Sequence, residues 1–482
     1  MVQQGADRTI HALTRTYETG RSGFPYDKMV SMTDTSPINV LPTPLPDAEA
    51  EVVQLCQELI RIDTSNYGDG SGPGEAAAAE YVEARLKEVG LEPERIQFGA
   101  ARREGVVVRI AGRDQSRPAF MVHVHLDVVP AQASDWTHDP FAADIDDDNG
   151  VPMIWGRGAV DMKDMNAMTL AVIRSWARNG VKPDRDVVVM FLPDEEAGGR
   201  VGGHWIVDNR PELFHGVTEA IGEVGGFSMT VRDDLRLYLV QTAEKGIGWL
   251  KLTATGRAGH GSMLNDDNSV TALCEAVARI GQIKFPVRVT PTVRDFLAAL
   301  SDATGMKLDP DDMDATLAAL GPMARLVGAT LTNTAAPTML GAGYKVNVIP
   351  GEATAHVDTR FLPGYEDELF AAIDEVLGDK VKREFAVHDI AVETTFDGPS
   401  IDLMAAALKA EDPHAVAVPY MLSGGTDAKS ISRLGIRCYG FAPLLLPPTL
   451  DFGSLFHGVD ERVPVDALKF GTRVLDRFLR AV

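Results

Sequence analysis

The sequence predicts an α/β core interrupted by an inserted α+β unit, and three observations carry that reading. Short uninterrupted apolar runs, such as Val187–Val188–Val189–Met190–Phe191–Leu192, alternate with amphipathic helical stretches. Strands apolar on both sides belong to a sheet covered by helices on both faces. From 246 to 397 the order changes to strand, helix, two strands, helix, strand, a βαββαβ unit. After Pro399 the first pattern resumes, so the insertion splits one domain. The expected organisation is a tail over 1–40, a core segment over 41–245, the insertion over 246–397 and a second core segment over 398–482.

Each element follows from its pattern. Asp47 to Ile62 places Val52, Leu55, Cys56, Leu59 and Ile60 on one helical stripe, and Glu75 to Val89 does the same with Tyr81, Val82 and Leu86. β-Branched runs over 105–110 and 119–125 predict strands, 164–178 a helix and 187–192 a buried strand. In the insertion the pattern predicts a strand over 249–255, a helix over 269–280, strands around 330–339 and 344–360, a helix over 365–377 and a strand over 390–395. The first forty residues mix apolar groups with charges and turn formers and contain no signal-peptide core. Met29 and Met32 stand just before the stretch Pro37 to Pro46, and the segment reads as a tail.

Composition narrows the function classes. Against 46 Lys and Arg stand 69 Asp and Glu, a net charge of −23, which repels nucleic acid and anionic membranes. The three cysteines, Cys56, Cys274 and Cys438, lie far apart without metal or redox spacing, which points to a reducing cytoplasm. The longest apolar runs are too short to span a bilayer. The acidic run Asp144 to Gly150 has Asn149 where a calcium loop needs glycine and Trp155 where it needs glutamate, so it reads as a solvated turn.

Three motifs carry chemistry. His125 and Asp127 of His125–Leu126–Asp127 share one strand face, where the carboxylate can orient the imidazole; His123 shares that face. Asp161, after Gly156–Arg157–Gly158, is either a helix cap or a carboxylate able to bridge two cations. Asp194–Glu195–Glu196 directly after a buried strand crowds three acids that need a positive counter-charge. With Glu223 after the next strand and His457 near the end, the inventory is two histidines, three carboxylates and a spare glutamate, a set for two zinc-like ions sharing a carboxylate.

Over about 45 to 482 the chain resembles the co-catalytic zinc peptidases, which include acetylornithine deacetylase, succinyl-diaminopimelate desuccinylase, glutamate carboxypeptidase and aminoacylase. The resemblance implies that His125 and Glu223 hold one metal and Glu196 and His457 the other, with Asp161 between them. It makes Glu195 the general base and Asp127 the aspartate that orients the histidine. Gly259–His260–Gly261–Ser262 is similar to the family's lid motif, whose histidine polarises the scissile carbonyl and is often lent by the partner of a dimer. The continuation Met263–Leu264 departs from the proline relatives show there. Asn347 and Arg360 match the pair that grips the substrate carboxylate, and Gly424 and Gly425 match the glycine-rich loop before the last ligand.

The resemblance thus implies a mixed-sheet zinc-peptidase catalytic domain with helices on both faces and an inserted lid and dimerisation domain, acting as a homodimer. Two Zn²⁺ per subunit are implied, with Co²⁺ or Mn²⁺ as alternatives. A water between the two metals, with Glu195 as its base, would hydrolyse amide bonds of N-acyl-amino acids or of short peptides with a free carboxylate. The alternatives are a carboxypeptidase or dipeptidase and a non-catalytic binding module, the latter disfavoured by the unligated base. The pair His123–Val124–His125 also fits barrel-type metal amidohydrolases, but Glu195–Glu196 and the insertion do not.

Overall fold

The computed structural model describes residues 41–321 and 324–482; the expected tail over 1–40 lies outside the described residues. The apolar runs form a ten-stranded mixed sheet. At its centre Val187–Leu192, Ala119–His125, Val217–Gly222 and Arg437–Gly440 lie side by side and parallel. Every residue of the first two is buried. Alternation along each strand feeds two cores. Phe120, Val122, Val124, Val189 and Phe191 pack with the apolar stripes of helices Pro46–Ile60, Lys163–Asn179 and Val465–Ala481. Met121, Val188, Met190 and Leu192 pack on the other face with Ile206 and Val207 of helix Gly203–Asn209.

A second, four-stranded antiparallel sheet has the spatial order Thr334–Ala342, Glu352–Phe361, Gly246–Thr255, Val381–Asp389. Leu250, Leu252, Ala254, Ala353, Ala355 and Val357 face helices Ser269–Gln282 and Glu366–Leu377 and form its core. Ile247, Trp249 and Lys251, on the opposite face, are not buried.

Two features depart from the sequence pattern. The strand closing this sheet is Val381–Asp389, not 390–395; from the latter only Val392–Glu393 is a strand, and it pairs with Leu235–Glu244 of the large sheet. Between the second sheet's first helix and its next strand, helices Pro291–Thr304, Met313–Leu320 and Ala324–Gly328 intervene. Val293, Phe296, Leu297 and Leu300 form an apolar stripe that packs on Leu237, Leu239, Val418 and Tyr420 of the large sheet. That part of 246–397 therefore shares its core with the large sheet.

A small third sheet positions the site. Strands Ile145–Asp148 and Val151–Trp155 join through Asn149 and Gly150, at φ 56° and 88°, in the two-residue turn that such residues favour. Arg462–Pro464 pairs antiparallel with the second strand, Arg462 opposite Trp155. Among the described residues, no helix is long and apolar enough to cross a membrane.

Candidate active site

His125 ends one central strand, Glu195 and Glu196 follow its neighbour, and Glu223 follows the next. Because these strands are parallel, their carboxyl ends lie on one edge and the side chains gather there, the usual ligand position in such sheets. Asp161 and His457 come from outside. Asp161 follows Val151–Trp155 and His457 precedes Arg462–Pro464, so the pairing of those strands draws both loops to the same edge.

The result is two groups of residues able to hold a metal ion, sharing one residue. His125, Asp161 and Glu223 form one and Asp161, Glu196 and His457 the other, with the donor atoms of each group within 4.8 Å of one another. His125 Nε2 lies 3.1 Å from Asp161 Oδ1 and 3.3 Å from Glu223 Oε2. His457 Nε2 lies 3.2 Å from Asp161 Oδ2 and 3.1 Å from Glu196 Oε2. Each carboxylate oxygen of Asp161 thus faces a different histidine.

The electrostatics call for cations. Burial pushes Glu196 up to about 7 and Glu223 up to about 8, and burial together with Glu223 raises Glu195 well above the ordinary carboxylate range. Hydrogen bonds to Asp161 and Glu196 lift His457 to about 10. Among the described residues no lysine or arginine pairs with Asp161, Glu196 or Glu223; their ion-pair partners are the two histidines. An all-nitrogen and oxygen donor set of this kind fits two divalent ions of the zinc, cobalt or manganese type.

Buried polar groups fix the ligands. His125 Nδ1 is 3.0 Å from the Asp127 carbonyl oxygen and 3.6 Å from its carboxylate, so the main chain holds the ring more closely than the side chain expected to do so. The Asp127 carboxylate instead accepts the backbone N–H of Glu195 and of Glu196, each at 3.1 Å, and Asn66 Nδ2 at 2.8 Å. Arg103 donates to Asn66 Oδ1 at 2.7 Å and pairs with buried Glu75. On the other side, the fully buried Glu461 carboxylate accepts N–H groups from Gly158, Val160 and Asp161 and pairs with Arg157 at 2.7 Å. Asp194, Val224 and His457 all have positive φ, of 72°, 55° and 58°. Part of the chain's non-glycine backbone strain thus lies at the site.

A cleft of about 240 Å³ opens beside these groups, between the strand edge and the second sheet. Glu195, Glu196 and His457 line it from one side and Ile247, Trp249 and Arg360 from the other. Gly424 and Gly425 are on its wall; a Cβ at Gly425 would meet Lys429 Cε at 2.2 Å. Arg360 is bound by Asp358 through Nε at 2.7 Å and Nη2 at 3.1 Å. His260 and Asn347 are not among the cleft's lining residues. They sit together, where Gly259–His260 pairs with Val348–Ile349 and Gly261 N–H donates to the Asn347 carbonyl at 2.9 Å. His260 is exposed, its Nδ1 2.9 Å from Ser262 Oγ. His123 is buried against Gly222, its Nε2 without a partner among the described residues, and burial lowers its pKa to about 3.

The sequence pattern does not reveal Asn66, Arg103, Glu75 or Glu461, whose partners are far along the chain. Their sequence neighbours, such as Thr64 and Ser65 beside Asn66 and Asp460 and Arg462 beside Glu461, are themselves polar, so nothing local marks them. The cleft also holds His204, 3.0 Å from Asp389, and Lys429, which donates to the Ile390 carbonyl at 2.8 Å.

Residues 121–481 match the family model described as peptidase family M20/M25/M40. Aminoacylase-1 of Pongo abelii is 27% identical over 450 residues, covering 91% of this chain and 96% of the relative. Probable carboxypeptidase S-like 2 of Dictyostelium discoideum is 28% identical over 385 residues, covering 74% of this chain and 70% of the relative. The fold matches the crystal structure of the M20 family metallo-carboxypeptidase Sso-CP2 from Sulfolobus solfataricus. The TM-score is 0.66 at 17% identity, covering 89% of this chain and 98% of that one.

Proposed function

Because the chain belongs to peptidase family M20/M25/M40 and is a metal-dependent hydrolase, we propose that it cleaves the amide bond of N-acyl-amino acids. The carrying observation is the pair of ligand groups sharing Asp161, with Glu195 outside both but lining the same cleft. His125 and Glu223 would hold one zinc ion and Glu196 and His457 the other, with Asp161 common to both. Bound there, the ions would lower the pKa of a water and polarise the scissile carbonyl.

The chain's own groups do the rest. Glu195 takes the proton from the attacking water and returns it to the leaving amine nitrogen. Asp127 sets the turn carrying Glu195 and Glu196 through their backbone N–H groups. The Asp358 contacts engage Nε and Nη2 of Arg360 and leave Nη1 for the substrate carboxylate. Gly424 and Gly425 let the backbone approach the substrate closely. The position of His260 and Asn347 outside the cleft lining supports a homodimer in which each subunit lends these residues to its partner's site.

Similarity to aminoacylase-1 over 91% of the chain supports the N-acyl-amino acid reading. Similarity to a probable carboxypeptidase S-like protein favours a second reading, cleavage of short peptides that end in a free carboxylate. The three free cysteines support a reducing cytoplasm as its location. A panel of N-acyl-amino acids and dipeptides with added Zn²⁺, Co²⁺ or Mn²⁺ tests the proposal: turnover should appear with metal and vanish with a chelator. Metal-independent turnover, or none, overturns it.

A further inference from the structure

The outer face of the second sheet carries a path away from the cleft. Ile247 lies opposite Arg360 on one side and Asp389 on the other; two residues on, Trp249 lies opposite Asp358 and Val387; two further, Lys251 lies opposite His356 and Glu384. Trp249 is 41% exposed on this face. It lines the cleft and also a second cavity of about 260 Å³, walled by Met339, Val357, Ala386, Thr338, His356 and Asp358, whose carboxylate is engaged by Arg360. The ion pair of Lys251 and Glu384, 3.1 Å apart, lies on the next row of the face. Cleft and cavity therefore share Trp249, with apolar walls beyond it.

We propose that this Trp249–Met339 cavity is a subsite for a large aliphatic or aromatic side chain on the amino acid that leaves with the free carboxylate. The proposal rests on the hydrolase reading above. Arg360 Cζ lies 6.0 Å from the Trp249 ring centroid. A carboxylate held by Arg360 thus places the adjoining α-carbon beside Trp249, and its side chain runs over the indole toward Met339. The acyl group lies across the scissile amide, on the side of the metal ligands. Burying a large side chain there favours it over a small one by roughly 10–100-fold in kcat/KM.

The test holds the acyl group constant and varies the amino acid. N-acetyl-phenylalanine, -leucine and -methionine are compared with N-acetyl-alanine and -glycine in the metal-loaded protein, and N-lauroyl-glycine with N-acetyl-glycine. The large-to-small ratio of kcat/KM should exceed about 10 and fall about tenfold or more in Trp249→Ala and in Met339→Ser. The lauroyl-to-acetyl ratio should stay constant in both variants. A flat amino-acid ratio overturns the subsite, as does a collapse of the lauroyl ratio, which would seat the acyl chain there instead. A changed molecular mass in solution with unchanged ratios overturns it too, by making the face an interface between copies. Absence of turnover with every compound and metal brings down the N-acyl-amino acid reading and the subsite with it.

Discussion

The buried carboxylate of Glu461 accepts the backbone N–H of Asp161 at 3.1 Å, across 300 residues of chain. The same carboxylate holds Gly158, Val160 and Arg157. Glu461→Ala leaves a buried guanidinium unpaired and should cost about 3–5 kcal/mol of stability, measured by denaturant unfolding. Glu461→Gln keeps one acceptor oxygen; it should fold and lose metal more readily on dialysis. Full metal content in that variant would mean that Asp161 is held adequately without the charge.

Glu195 and Glu196 are neighbours with separate tasks in the proposed mechanism. Glu195→Gln should retain about two metal ions per chain while kcat falls by roughly 10²–10⁴. Glu196→Ala should lose metal, as elemental analysis would register. Parental turnover by Glu195→Gln would remove Glu195 from the role of base.

Metal uptake should release protons. Without metal, burial pushes Glu196 up to about 7 and Glu223 to about 8, and hydrogen bonds to Asp161 and Glu196 lift His457 to about 10, so near pH 7 Glu223 and His457 hold their protons and Glu196 is divided between its two forms; ligands must shed those protons. Zn²⁺ binding at pH 7 should release on the order of one proton or more, and affinity should weaken as pH falls. Calorimetry in buffers of different ionisation enthalpy reads this directly; buffer-independent heats would refute it.

Away from the site, Asp412 ties the end of helix Pro399–Glu411 to strand Leu235–Glu244. Burial acts to raise its pKa, but Arg236 and Tyr238 OH, at 3.0 Å, outweigh burial and hold it below 3.8. A carboxylate whose pKa is lower folded than unfolded contributes fully above the unfolded value and loses that contribution as pH falls through the folded one. Asp412→Asn should therefore be less stable than the parent above about pH 5, and the gap should close toward acid. A gap independent of pH would assign the effect to packing.

If His260 acts across a dimer, mixing His260→Ala with Glu195→Gln subunits should restore part of the lost activity. No recovery after exchange of subunits would confine its role to its own chain.

The strand-borne candidates were legible because each stands at the end of an apolar run, where the change from burial to charge is visible in a few residues. His125, Glu196 and Glu223 are such cases. Asp161 alone was ambiguous between cap and ligand; the pairing of Arg462 with Trp155, invisible to local pattern, is what brings it to His457. Asn66, Arg103 and Glu461 carry no local signal because a buried polar residue is intelligible only through its distant partner. Helix Pro291–Thr304 is hidden for a related reason: its apolar stripe answers to strands Leu235–Glu244 and Ala415–Leu422, not to the sheet around it in sequence.

The separation of Asp161 from His457 and Glu461 also has a consequence for biosynthesis. A chain emerging from the ribosome presents His125, Asp161, Glu196 and Glu223 well before the segment that supplies the last ligand and the clamp under Asp161. At roughly 5–20 residues per second, tens of seconds pass between synthesis of Glu223 and of His457, and through that interval the strand that draws Asp161 to the others is missing. On the proposed reading, the second cation would be captured only after the segment carrying His457 and Glu461 has docked.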